Sequence, residues 1–98
     1  MNIITLDFET FYDTGYGLNR LTTEEYIKDE RFQVIGVGLK INHEPIQWLT
    51  GEELVSKGLR LIDWQDSMLL CHNTQFDGAI LKWLTGIVTG KQIGRAHV

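Results

Sequence analysis

Two short stretches carry side chains that could do chemistry together. Asp7-Phe8-Glu9-Thr10 sets two carboxylates two residues apart, and His72-Asn73-Thr74-Gln75-Phe76-Asp77 sets a third behind an amide and an aromatic ring. On an extended chain Asp7 and Glu9 project to the same face, because side chains alternate along a strand. Three converging carboxylates repel one another unless cations sit between them, and hard divalent ions such as Mg²⁺ or Mn²⁺ take oxygen ligands. Two such ions, about 3.5–4 Å apart, activate a water on one side and stabilise the departing oxygen on the other. The chemistry expected of the set is metal-assisted phosphoryl transfer. Each motif also has a plainer reading. Asp-x-Glu is a common solvated strand end, Asp77 in a first helical turn answers the helix dipole, and Asn73 either orients a ligand or caps the helix. What favours chemistry is their joint occurrence at the ends of apolar strands.

The other reactive side chains carry less. His72 is a weaker candidate than the carboxylates, and His43 lies in a turn. Cys71, within an apolar run, reads as a small buried hydrophobe. Trp48, Trp64 and Trp83 are expected to pack rather than to stack on bases, whereas Tyr12 and Tyr16, following Glu9, could touch a flexible strand.

The elements that must position these groups are legible in outline. Asn2 to Glu9 is a β-branched apolar run expected as a central strand, with Ile4, Leu6 and Phe8 on one face and Thr5, Asp7 and Glu9 on the other. A Gly-containing loop follows, and Thr22-Thr23-Glu24-Glu25 has the spacing of a capping box that opens a helix to about Asp29. Gln33 to Ile41 predicts a second strand with Ile35, Val37, Leu39 and Ile41 on one face, turning through Asn42 to Pro45 into a hairpin strand over Ile46 to Leu49. Pro45 suits an edge. Thr50-Gly51-Glu52-Glu53 repeats the capping-box spacing before a helix whose Leu54, Leu61 and Ile62 are expected to face the core, with Gly58 weakening it. Ser67 to His72 predicts a fourth strand. A last helix from Thr74 places Phe76, Ile80, Leu81, Leu84 and Ile87 on one face and stops at Gly86. The order implies an α/β fold, a mixed sheet with helices packed on it. If the first and fourth strands are neighbours, Asp7 and Glu9 face Asp77 across the crevice where ligands settle in open α/β sheets.

Composition bounds the function. The chain has 98 residues, 43% hydrophobic, enough for one domain and not for two. Nine Lys and Arg against thirteen Asp and Glu leave a formal charge of −4, which argues against gripping nucleic acid by bulk electrostatics. An acidic site can still meet a phosphodiester through its bound cations. The single cysteine excludes an internal disulfide and fits a reducing compartment. No apolar run approaches the roughly 18 residues of a membrane span. Met1 to Leu6 lacks the features of a secretory signal, so no membrane partner and a cytoplasmic location are expected.

These residues resemble the DEDD 3′–5′ exonucleases, which have a ribonuclease H-like fold. Asp7-Phe8-Glu9-Thr10 resembles the first motif of that family and Asn73-Thr74-Gln75-Phe76-Asp77 the second. Leu21 to Tyr26 and Val34 to Val37 are similar to the proofreading domains of bacteriophage-type family A DNA polymerases. The resemblance spans about Asn2 to Thr89. It implies that Asp7 bridges two divalent cations, Mg²⁺ or Mn²⁺, that Glu9 ligates the one activating water, and that Asp77 holds the second largely through water. It implies substrate contacts at Thr10, Asn73 and Phe76, and hydrolysis of the terminal phosphodiester of a single-stranded DNA 3′ end. The other implied partner is a polymerase domain of the same parent chain. The family's third motif, a Tyr or His shortly before a fourth acid, has no counterpart, since no acid follows Asp77. Gln92 to Val98 reads as a translated short-read sequencing adapter. Residues 1–91 are therefore expected to be a partial exonuclease domain, incomplete at its carboxyl end, and 92–98 a non-native tail. The alternatives are a non-catalytic ribonuclease H-like module that binds nucleic acid or a partner protein, and a stand-alone RNA-trimming exonuclease.

Overall fold

In β1 (Asn2–Thr10) the alternation expected from the sequence divides the molecule into two sides: Ile4, Leu6 and Phe8 are buried while Asp7 and Glu9 are exposed. The structure is a computed structural model that describes residues 1–71 and 73–87, together with the backbone of 92–95. β1 pairs antiparallel with β2 (Val34–Ile41) and parallel with β4 (Ser67–Cys71). β3 (Gln47–Thr50) pairs antiparallel with β2, and β5 (Gln92–Arg95) pairs parallel with β4. The sheet is thus mixed, in the order β3-β2-β1-β4-β5, with β1 central as expected. Residues 96–98 of the tail lie outside the described residues.

Three helices cover one face. α1 (Thr23–Lys28) and α2 (Glu52–Arg60) both pack against α3 (Thr74–Thr85), which lies over β1 and β4, while α2 lies over β2 and β3. Between helices and sheet sits a core that includes Ile4, Leu6, Val37, Leu39, Leu69 and Ile80. Burying each such side chain is worth about 1.5–3 kcal/mol, which is what holds the layers together. The opposite face is open: Ile3, Ile35, Ile46 and Trp48 are exposed there beside Asp7 and Glu9.

Local signals set the helix ends. Thr22 and Glu25 form the reciprocal capping box at α1, Asn73 accepts the Phe76 N–H to cap α3, and Gly86 ends α3 in the left-handed region at φ 75°. Three expectations are corrected. Thr50 is the last residue of β3, paired with Gly36, so no capping box forms; α2 instead starts at Gly51, whose φ of 82° only glycine adopts readily. α2 turns Val55 and Leu59 inward and leaves Leu54 and Leu61 exposed, with Ile62 partly buried. At Gly58 a Cβ would come within 2.7 Å of Leu49 Cδ1, so the glycine lets α2 approach β3 closely. In β2 the register shifts beside Glu9 and Thr10, leaving Ile35 as an extra residue. The bulge turns Ile35 outward and Val34 inward, against simple alternation.

The two glycines opposite the carboxylates differ in what they permit. A Cβ at Gly36 would come within 2.7 Å of both the Leu49 carbonyl oxygen and Trp48 Cζ2, whereas one at Gly38 meets nothing closer than 3.8 Å. Gly36→Ala is expected to destabilise the fold by about 1–3 kcal/mol. Gly38→Ala is expected to change it by less than about 1 kcal/mol. Urea-unfolding midpoints of the two variants check this, and equal midpoints would contradict it.

Candidate functional site

The chain leaves β1 toward β2 on one side, returns to β4 on the other, and continues through α3 to β5. The carboxyl ends of β1 and β4 are therefore a topological switch point, where a crevice opens beside two parallel strands. Asp7 and Glu9 stand at this end of β1, both exposed on the open face, paired across the ladder with Gly38 and Gly36. Because neither partner has a side chain, the directly opposed residues leave room beside both carboxylates, and the Asp7 Cβ faces the Gly38 position at 3.9 Å.

Asp77 reaches the same end from the other layer. The last pair between β1 and β4 among the described residues is Leu6 with Cys71, and β1 runs on from Asp7 to Thr10. Amides along a strand point alternately to its two neighbours. Ile3 serves β2, its carbonyl accepting the Asn42 N–H at 2.8 Å, so the Phe8 N–H points to the β4 side of the strand. Asp77 Oδ1 accepts it at 3.2 Å. Asp77, 3% exposed, thus has its carboxylate against the β1 backbone on the β4 side. This bond ties the first turn of α3 to the strand that carries Asp7 and Glu9.

Thr10 and Phe76 meet on the helical side. With Tyr12, Leu18, Asn19 and Tyr26 among others they line a cleft of about 240 Å³. That is below the roughly 300–1,000 Å³ of pockets enclosing a drug-sized ligand, a size suited to one ring or sugar. Thr10 Oγ1 and the Tyr26 hydroxyl share a hydrogen bond at 2.8 Å, and Phe76 lies 6.0 Å from the Tyr26 ring. Asn73 spends its side-chain oxygen on capping α3. Tyr12, 76% exposed, is free to meet a ligand at the cleft mouth, but Tyr16 is not. Tyr16 is fully buried, stacked 4.5 Å from Tyr26 under the Arg31 guanidinium, with its hydroxyl donating to the Tyr26 carbonyl. Sequence reasoning missed Tyr26 and the Gly17–Asn19 segment as lining residues. Gly15 and Gly17 marked a loop, but no local pattern says that it folds back over α1.

Cys71 is buried among these groups. Burial first, then the nearby Asp77 and Asp7 charges, push its thiol from the usual 9.0 up to about 12. It is no nucleophile at neutral pH. Among the described residues no three His, Cys, Asp or Glu side chains stand close enough to form a metal-holding group. Asp7 and Glu9 are open oxygen donors on one face, the type hard cations take. Asp77 is brought to the same strand ends with one oxygen on the Phe8 amide. His72 lies outside the described residues. A second groove, about 980 Å³, runs between α1 and α3 past Ile27, Ala79 and Trp83, away from the Asp7 and Glu9 face. Among the described residues no helix is long and apolar enough to cross a membrane. Comparison of the chain with protein-family models, curated proteins and solved structures finds no match.

Two outcomes follow for this site. Asp77→Ala leaves the Phe8 N–H without its acceptor and is expected to cost about 1–3 kcal/mol, with faster hydrogen exchange at that amide; Asp77→Asn, which keeps an acceptor oxygen, is expected to retain more of the protection. For Cys71, the raised thiol favours the protonated folded state. Its contribution is intact below the unfolded value near 9 and is lost as pH rises from about 9 toward about 12. Iodoacetamide at pH ~8 should leave native Cys71 unlabelled and label it on unfolding, as read by mass.

Proposed function

We propose that this chain is part of a DEDD-type 3′–5′ exonuclease domain with a ribonuclease H-like fold, of the proofreading kind found in bacteriophage-type family A DNA polymerases. The observation that carries the reading is the parallel adjacency of β1 and β4, with Asp7 and Glu9 at the carboxyl end of one and Asp77 in the first turn of the helix leaving the other. Supporting the reading, all three motif residues stand at the carboxyl ends of two adjacent strands, Asp7 and Glu9 on the open face and Asp77 buried behind them, and Thr10 and Phe76 line the nearby cleft.

On this reading Asp7 and Glu9 hold divalent cations, Mg²⁺ or Mn²⁺, with Asp77 alongside. When bound, the cations supply charge neutralisation at a phosphodiester and a water made nucleophilic. The chain's own residues do the rest. The cleft under Tyr12 takes the terminal nucleotide of single-stranded DNA, with Phe76 and Tyr26 as its ring-bearing wall, and stacking tolerates any base. Asp77, through the Phe8 amide, fixes the direction in which β1 presents Asp7 and Glu9. The sequence holds no acid after Asp77, so the chain is expected to be nearly inactive alone, and a polymerase domain of the same parent chain is its proposed partner.

The test is a 5′-labelled single-stranded DNA incubated with the chain and Mn²⁺, beside Asp7→Ala and a metal-free control. Trace stepwise shortening from the 3′ end, lost in Asp7→Ala and without metal, is the expected outcome, and binding should strengthen with divalent ion. Binding with no divalent dependence, unchanged in Asp7→Ala and Asp77→Ala, would overturn the reading in favour of a non-catalytic binding module. Shortening of RNA in preference to DNA would favour an RNA-trimming enzyme.

A further inference from the structure

The open sheet face carries one aromatic side chain whose setting the hydrolytic reading does not use. Trp48, on the edge strand β3, is 51% exposed. It pairs with Gly38, and its benzo ring extends over Gly36: Cζ2 lies 2.7 Å and Cε2 3.1 Å from where a Cβ would stand. The indole therefore rests on backbone through the space that a side chain at Gly36 would fill, leaving the rest of the ring to solvent. It is held by packing rather than swinging free. Gly36 is also the cross-strand partner of Glu9, and Gly38 that of Asp7. Neighbouring strands lie about 4.8 Å apart, so the indole is a lateral neighbour of the two carboxylates on the same face. Sequence alone suggested that all three tryptophans pack. Trp64 does, its Nε1 donating to the Leu59 carbonyl at 2.8 Å, but Trp48 is packed on one side only.

We infer that Trp48 is a stacking platform for a base of a single-stranded nucleic acid whose phosphate is drawn to the cations of Asp7 and Glu9. This rests on the proposed hydrolytic reading and extends it across the glycine floor to the far edge of the sheet. A strand so placed has its backbone over the carboxylates, where bound cations can hold phosphate on a net negative protein, and one base over the indole. Base-on-aromatic stacking needs no sequence and no basic patch, which suits a chain with nine Lys and Arg against thirteen Asp and Glu.

The experiment is fluorescence-anisotropy titration of the full chain with a labelled oligothymidylate of about 12 nucleotides and with an abasic oligomer of equal length. Wild type is expected to prefer the base-bearing strand by about tenfold, Trp48→Ala to lower that preference to what the Tyr26 and Phe76 cleft alone provides, and Trp48→Phe, which keeps a ring, to retain most of it. Asp7→Asn with Glu9→Gln is expected to abolish the gain from Mg²⁺ while sparing the base preference. Equal affinity of wild type for both strands, or a preference unchanged in Trp48→Ala, would overturn the platform, and the exonuclease reading stands if the Mg²⁺ gain remains. A Trp48-dependent preference with no Mg²⁺ gain supports the platform and removes the exonuclease reading. Sedimentation giving a dimer that Trp48→Ala dissociates, with no oligonucleotide effect, would assign the face to a second copy of the chain and overturn the platform.

Discussion

β1 runs on beyond Leu6, its last described pair with β4, and a strand amide on that side inside a protein must find an acceptor. Leaving it unpaired costs about 1–3 kcal/mol, a sizeable part of the stability of a small domain. Asp77 meets the need through the Phe8 N–H, and the consequences spread from that bond. It sets how far α3 slides along β1, because the first turn of the helix cannot move without breaking it. α3 in turn supports both α1 and α2, so the helical layer as a whole is referenced to the carboxyl end of the central strand. A carboxylate in the first turn also favours the helix dipole, so the same group stabilises the element that carries it.

The sheet then separates two tasks by parity alone. Even-numbered residues of β1 from Ile4 to Phe8 build the core, and Asp7 and Glu9, displaced by one, are left to solvent at no cost to packing. A shift by one residue would bury both carboxylates and expose the core, so the register with β2 is strongly specified. The glycines of β2 complete the arrangement. Gly38 leaves room beside Asp7, and Gly36 gives its space to Trp48, so the open face is flat in the middle and bounded by charge on one side and an aromatic ring on the other.

Much of this was legible because it is local. The alternation of Ile4, Leu6 and Phe8 with Asp7 and Glu9, the Thr22–Glu25 box and the Gly86 stop each depend on a few neighbouring residues, and each forms as read. The carboxylate motifs were visible as residue types, and their placement at the carboxyl ends of adjacent strands follows from β1 and β4 being parallel neighbours, which had to be assumed. What stayed hidden depends on partners distant in sequence. Thr50 has the spacing of a cap, but pairing with Gly36 claims it for β3. Ile35 breaks alternation because the ladder to β1 takes up an extra residue beside Glu9, and α2 turns Val55 rather than Leu54 inward. Tyr16 resembled a loop aromatic free to touch a ligand until its stacking on Tyr26 placed it in the core.

The balance of charge decides how such a face meets a polyanion. Asp7 and Glu9 are exposed with no cationic side chain opposite them in the ladder, since their partners are glycines. Bare, they would repel a phosphate. Like charges near the surface interact at an effective dielectric well below that of water, and the repulsion of two carboxylates for a phosphodiester is not screened within the Debye length of about 8 Å. A divalent ion reverses the sign at that point and nowhere else. On the proposed reading, attraction is then confined to the carboxyl end of β1, while orientation falls to uncharged groups on either side. The cleft of Thr10, Tyr26 and Phe76 lies on the helical side, and the indole of Trp48 on the open one. A protein that gripped the strand with lysines would hold every phosphate alike. One that holds a single phosphate through cations and reads the rest by stacking can let the strand advance one residue at a time.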